Sequence, residues 1–228
     1  MLKLVIFDFD GVLADSERAH YETIRNALVE KGLSLDWAAY CEKYLGYDDV
    51  DCFTAVLKDQ GHTPTDSVIE ELCQHKADLF TRHLNDHGVL FEGVEDLLQE
   101  LHQAGIPRSI YTGSTRSETD FILNQENLAH YFTTIITADD VTLGKPDPQG
   151  YILSLQQSNQ TLNSQPPITC DQCVVIEDSM WGITAAKEAG MHCLALETSY
   201  PKKMLTQADD TVPALTQVNI PLLKKMAG

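Results

Sequence analysis

Basic residues are scarce in this chain: 16 Lys and Arg stand against 34 Asp and Glu, a formal charge of −18 over 228 residues. Such a field repels nucleic acid and anionic lipid, so neither is expected as a partner. Long apolar runs are missing as well, with none reaching the ~18 residues of a membrane span. Leu2-Lys3-Leu4-Val5-Ile6-Phe7 passes directly into acids, without the apolar stretch and cleavage site of a secretory leader. A cytoplasmic protein without membrane association is expected. Cysteine is sparse, and its six copies are too scattered for a disulfide scaffold. Cys170-Asp171-Gln172-Cys173 has the spacing of half a zinc site or of a redox pair. No second pair completes four ligands, and Cys173 opens an apolar run, so a core role is the better reading. There are no internal repeats and no low-complexity segments.

What is present is ordinary globular composition, 43% hydrophobic and 22% charged. Short apolar runs at 2–7, 107–112, 133–137, 173–177 and 192–196 read as buried parallel strands. Amphipathic segments at 116–127, 147–157 and 180–189 alternate with them as helices, which predicts an α/β fold with a doubly wound parallel sheet. About a hundred residues separate the first two strands, far more than one crossover helix needs. Within that gap, helices are expected at 17–31, 36–44, 48–60, 66–84 and 94–104, punctuated by Gly32, Gly46 and Gly61. The expectation is a helical insertion over 16–86 in a core domain made of 1–15 and 87–228. Residues 158–172 read as a polar loop, and the tail after 197 gives no clear pattern.

Four segments carry chemistry. Asp8 and Asp10, in Phe7-Asp8-Phe9-Asp10-Gly11, follow a buried strand, where an open α/β sheet binds its ligands. Alternation along the extended chain points both acids the same way, about 7 Å apart, close enough to share a cation or to act on two sides of one reacting atom. Thr112-Gly113-Ser114 supplies hydroxyls and a glycine before a helix starting near Arg116, an arrangement that suits phosphate but also describes a plain helix cap. Lys145, in Gly144-Lys145-Pro146-Asp147-Pro148, is a cation beside two prolines. Glu177 and Asp178 end another apolar run. All four segments fall at ends of successive strands and so open onto one crevice; phosphate, Mg²⁺ and a nucleophile are what such a set can use.

In order and spacing these segments resemble the four motifs of the haloacid dehalogenase superfamily, over nearly the whole chain. The resemblance implies Asp8 as nucleophile and Asp10 as acid and base. It also implies phosphate binding by Thr112, Gly113, Ser114 and Lys145, and Mg²⁺ held by Asp8, the Asp10 carbonyl, Glu177 and Asp178. The insertion is similar to the small helical cap of the subgroup that includes β-phosphoglucomutase and phosphoglycolate phosphatase, with His20, Gly46, Lys76 and Arg116 as candidate substrate or cap residues. The family's aromatic-Pro-Gly turn is Phe91-Glu92-Gly93 here. The implied activity is Mg²⁺-dependent hydrolysis of a small phosphorylated metabolite, such as a sugar phosphate; the sequence does not set the oligomeric state, and a monomer is one option.

Rival readings are weaker. Carbon–halogen cleavage needs no acid two residues after the nucleophile, and Asp10 is such an acid. A phospho-accepting signalling receiver also combines Asp, Ser/Thr and Lys-Pro, but it has no helical insertion; a non-catalytic binding module would not need every reacting residue. A phosphosugar mutase needs a cation in the cap for a second phosphate. The cap arginine of β-phosphoglucomutases aligns here with Asp49, in an acidic Tyr47-Asp48-Asp49 turn, with Lys76 or Arg18 as substitute cations.

Overall fold

The computed structural model describes residues 1–45, 47–86 and 89–228. It divides into two compact units, Met1–Asp15 with Leu90–Gly228, and Ser16–Val89. The first unit opens with β1 (Leu4–Phe7), four apolar residues without solvent exposure. The chain then forms the helical unit: α1 (Glu17–Glu30), the short α2 (Trp37–Ala39) leading into a π-helical turn at Tyr40–Tyr44, α3 (Asp49–Asp59) and α4 (Asp66–Asp86). Its interior is apolar, with Ile24, Leu28, Phe53, Val56, Leu72 and Phe80 among the buried side chains. Gly46, a candidate cap residue, lies outside the described residues.

The chain returns through α5 (Val94–Gln103), β2 (Arg108–Tyr111), α6 (Arg116–Gln125), β3 (Thr134–Ile136) and α7 (Gln149–Leu162). There follow β4 (Cys173–Glu177), α8 (Met180–Glu188), β5 (His192–Leu196), β6 (Asp210–Val212) and α9 (Ile220–Met226). The strands form one parallel sheet in the order β3-β2-β1-β4-β5-β6. The order reverses on either side of β1, the kind of position where an open α/β sheet leaves a crevice at its carboxyl edge. Helix α7 packs on β2 and β3 and α8 on β4 and β5, and β1, β2 and β4 are buried along their whole length, which explains their continuous apolar runs.

Five of the six strands are those expected from the apolar runs. The sixth, β6, is three half-exposed residues in the tail, too short and too wet to produce a run, and α9 beyond it is equally brief. Helix α7 extends to Leu162 through Ser158-Asn159-Gln160-Thr161, residues that the polar-loop reading of 158–172 covers, and ends at Asn163 in the left-handed conformation. All six cysteines are free thiols. Among the described residues no helix is long and apolar enough to cross a membrane.

Candidate active site

Strand register brings the acids together. Phe7 pairs with Ile110 on one side and Ile176 on the other, so the next residue, Asp8, stands level with Tyr111 and Glu177. The Asp8 amide donates to the Ile176 carbonyl at 2.9 Å, which extends the ladder one residue into the site. Asp8, Glu177 and Asp178 are all buried, and each places a carboxylate oxygen within 4.8 Å of the others.

Lys145 sits between two of these acids. Its Nζ lies 2.7 Å from Asp8 Oδ1 and 2.6 Å from Glu177 Oε1. Burial alone would lower its pKa, but the Asp8 and Glu177 carboxylates outweigh that and keep it an ammonium. Glu177 shows the converse: burial would raise its carboxyl, and Lys145 with the amides of Ser179 and Asp178 holds it low. Asp8 is pushed up to about 8, by burial first and by Glu177 next, against the pull of Lys145.

Glycines permit the close approach. Gly11 has φ +79°, and a Cβ there would fall 1.9 Å from Asp178 Oδ2. At Gly182, in the first turn of α8, a Cβ would fall 1.5 Å from Glu177 Oε1. Glu177 can therefore lie against the helix start, where its Oε2 accepts from the amides of Asp178 (2.8 Å) and Ser179 (2.9 Å) and from the Ser179 hydroxyl (3.0 Å). Ser179 Oγ also caps α8, accepting from the Gly182 amide at 3.0 Å. Oε1 accepts from Lys145 and from the Tyr151 hydroxyl at 3.0 Å. Five donors thus converge on Glu177, which holds Lys145 as well as facing the acidic cluster.

Asp10 turns to the second strand end. Its Oδ2 accepts from Thr112 Oγ1 at 3.3 Å and from Ser114 Oγ at 2.5 Å, and the Ser114 amide donates to Thr112 Oγ1 at 3.0 Å. Gly113, beside them, is exposed, with nothing within 4 Å of a Cβ built on it. Arg116 is tied down within the core unit: its guanidinium donates to Asp140 Oδ2 at 2.6 Å and to the Ile135 carbonyl at 2.8 Å. His20 and Lys76 belong to the helical unit and share the Phe80 ring. His20 stacks on it at 4.2 Å, while the fully buried Lys76 lies 4.6 Å over it and 2.9 Å from Asp49 Oδ2.

Sequence reasoning passed over Thr198, Ser199, Tyr111 and Tyr151. The Ser199 hydroxyl donates to Asp178 Oδ2, and Thr198 Oγ1 donates to the Gly11 carbonyl at 2.6 Å. Both follow β5, so the strand-end rule that found the other acids and hydroxyls would have found them. The two tyrosines lie in the apolar run 107–112 and in the expected helix 147–157, where nothing in the sequence singles them out.

The model for haloacid dehalogenase-like hydrolases matches residues 5–196, which takes in Asp8, Asp10, Thr112, Ser114, Lys145, Glu177 and Asp178 and stops just short of Thr198 and Ser199. The chain belongs to the haloacid dehalogenase-like hydrolase family. It is similar to validoxylamine A 7'-phosphate phosphatase of Streptomyces hygroscopicus subsp. limoneus, 30% identical over 222 residues, covering 97% of this chain and 98% of that protein. Among solved structures it resembles CbbY from Rhodobacter sphaeroides in complex with phosphate, with TM-score 0.87 and 23% identity over 98% of this chain and 100% of that one. A β-phosphoglucomutase from Clostridium difficile superposes with TM-score 0.85 at 21% identity, over 100% of this chain and 97% of that one. These two likenesses concern the fold. Membership makes the chain an enzyme of the phosphatase kind.

The residues present fit a divalent cation. Asp8, Glu177 and Asp178 offer only hard carboxylate oxygens, the donor type that Mg²⁺ prefers, and Lys145 is one ammonium among three buried acids. The raised Asp8 carboxyl marks a place where further positive charge would be favourable.

Proposed function

We propose that this protein is a Mg²⁺-dependent phosphatase that hydrolyses a small phosphomonoester, a sugar phosphate or similar metabolite, through an aspartyl-phosphate on Asp8. The observation that carries this reading is the buried Asp8–Lys145–Glu177 arrangement, beside Asp178 and within the same unit as the Asp10–Thr112–Ser114 cluster. Asp8 Oδ attacks phosphorus in line; the new P–O bond forms as the ester P–O bond breaks, and Asp10 gives its proton to the departing alkoxide. Asp10, now a carboxylate, takes a proton from the water that attacks the aspartyl-phosphate, which releases inorganic phosphate and restores Asp8. Lys145 and the Thr112 and Ser114 hydroxyls hold phosphoryl oxygens, with the Gly113 segment beside them. Asp8, Asp178 and the Asp10 carbonyl would hold the metal, with Glu177 next to it. When bound, Mg²⁺ supplies charge neutralisation to the phosphoryl oxygens.

Hydrolase is favoured over mutase by the state of the cap cations. Lys76 is fully buried against Asp49, and Arg18 pairs with Glu22 at 3.0 Å and lies over the Tyr21 and Trp37 rings. The two side chains that could replace a distal-phosphate arginine therefore already have carboxylate partners. The relative named validoxylamine A 7'-phosphate phosphatase supports a small phosphorylated metabolite as the substrate. The test is phosphate release from a panel of sugar phosphates and phosphorylated short acids with Mg²⁺. Release from several members is expected; rapid conversion of β-glucose 1-phosphate to glucose 6-phosphate, with catalytic bisphosphate and without free phosphate, would overturn the choice.

A further inference from the structure

The Lys145 ammonium lies 5.1 Å from the centroid of the Tyr111 ring and 5.6 Å from that of Tyr151. The rings meet edge to face, 4.8 Å apart at 87°, and neither side chain is more than 1% exposed. Gly150 makes room for this pair, since a Cβ there would fall 2.0 Å from Tyr111 Cζ. Tyr151 does more than pack. Its hydroxyl donates at 3.0 Å to Glu177 Oε1, the same oxygen that accepts from Lys145 at 2.6 Å.

A lysine that holds a phosphoryl group must keep its charge at a fixed point and must not be neutralised outright by its own counterions. A flexible four-carbon stem provides neither condition. The α8 start anchors Glu177 Oε2 through three donors, so the direction and charge of Oε1 are what remain to be set. The Tyr151 hydroxyl approaches that oxygen as a second donor. It takes up part of the negative charge on the oxygen that Lys145 donates to, and fixes where that oxygen lies.

We propose that Tyr151 is a positioning residue for Lys145, acting through the shared Glu177 Oε1, and that the Tyr111 ring completes the seat by a cation–π contact. Tyr151 touches neither the phosphoryl group nor the metal in this account. The proposal rests on the phosphatase reading for the identity of the anion that Lys145 holds.

The experiment measures inorganic phosphate binding by calorimetry in the presence of Mg²⁺, Mg²⁺ binding without phosphate, and thermal melting, for Tyr151→Phe in the full chain. Phosphate affinity should fall about tenfold, the size of one hydrogen bond to a charged group, with Mg²⁺ affinity retained. In steady-state assays most of the loss should appear in KM. Tyr111→Leu, which removes a ring and leaves the Tyr151 hydroxyl, should weaken phosphate about threefold. In a Glu177→Gln background the Tyr151→Phe change should cost nothing further, which a purely structural role would not produce. Unchanged phosphate affinity in Tyr151→Phe, an equal loss in the Glu177→Gln background, or a parallel loss of Mg²⁺ affinity would each overturn the proposal. A wild-type protein that binds no phosphate would overturn the phosphatase reading and this proposal together, and so separates the two failures.

Discussion

Asp8 and Glu177 occupy equivalent positions at the ends of neighbouring strands, yet their environments drive them apart. Glu177 is held low by Lys145 and the α8 amides, whereas Asp8 is raised to about 8 by burial and by Glu177 itself. Glu177 thus has the compensating charge that Asp8, the proposed nucleophile, lacks until further positive charge lies beside it. Asp8→Asn should abolish turnover, because an amide neither attacks phosphorus nor balances Lys145; phosphate release assayed with saturating Mg²⁺ checks this. Gly182→Ala brings a methyl group to where Glu177 Oε1 lies, 1.5 Å away, so the carboxylate must leave its five donors. Activity should fall by more than tenfold and stability by about 1–3 kcal/mol, read from phosphate release and denaturant melts. The acids, the lysine and the hydroxyls of this site were legible in the sequence because strand ends and polar residues rarely coincide by accident. Tyr111 and Tyr151 were not, since an aromatic side chain in a buried segment looks the same whether or not its hydroxyl has work to do.

At the scale of elements, caps and short turns fix the site. Ser179 both caps α8 and donates to Glu177 Oε2, so Ser179→Ala should cost about 1–2 kcal/mol in a denaturant melt and also lower activity. The turn after β3 is closed by Asp140, whose Oδ2 accepts from the Thr137 amide at 2.9 Å, the Thr137 hydroxyl at 3.0 Å and Arg116 at 2.6 Å. Burial would raise the Asp140 carboxyl, but Thr137 and Arg116 together hold it below its ordinary 3.8. A lowered carboxyl stabilises the fold fully above that ordinary value, and the contribution is lost as pH falls through the lowered one. The stability gap between wild type and Asp140→Asn should therefore be constant above about pH 5 and shrink below about pH 4, as followed by melts across that range. The same turn occupies Arg116, a candidate substrate residue in the sequence. Five strands were legible because burial on both faces made each an unbroken apolar run. Residues 210–212 and 220–226 were not, because a three-residue edge strand and a seven-residue helix carry too few periods to register.

Across the whole molecule, a chain of formal charge −18 binds an anion by confining positive charge to one small place. The general field opposes the substrate's approach while Lys145, the strand-end hydroxyls and a bound cation favour its capture. Substrate encounter should therefore improve with salt: at saturating Mg²⁺, kcat/KM should rise as the Debye length shrinks from about 30 Å to about 8 Å. A fall over that range would show that long-range attraction, not repulsion, governs approach. The separation of a helical unit from the core was legible from chain length alone, since no single crossover needs a hundred residues. Its π-helical turn at Tyr40–Tyr44 was not, because i to i+5 bonding leaves no period in so short a stretch.

The covalent route through Asp8 is tested most directly by rapid quenching of a single turnover, followed by borohydride trapping and mass spectrometry of the peptides. Asp8 alone should carry the phosphoryl group transiently, with the signal building up when Asp10→Asn slows hydrolysis of the intermediate. Full release of phosphate in the first turnover, with Asp8 never modified in either protein, would contradict it.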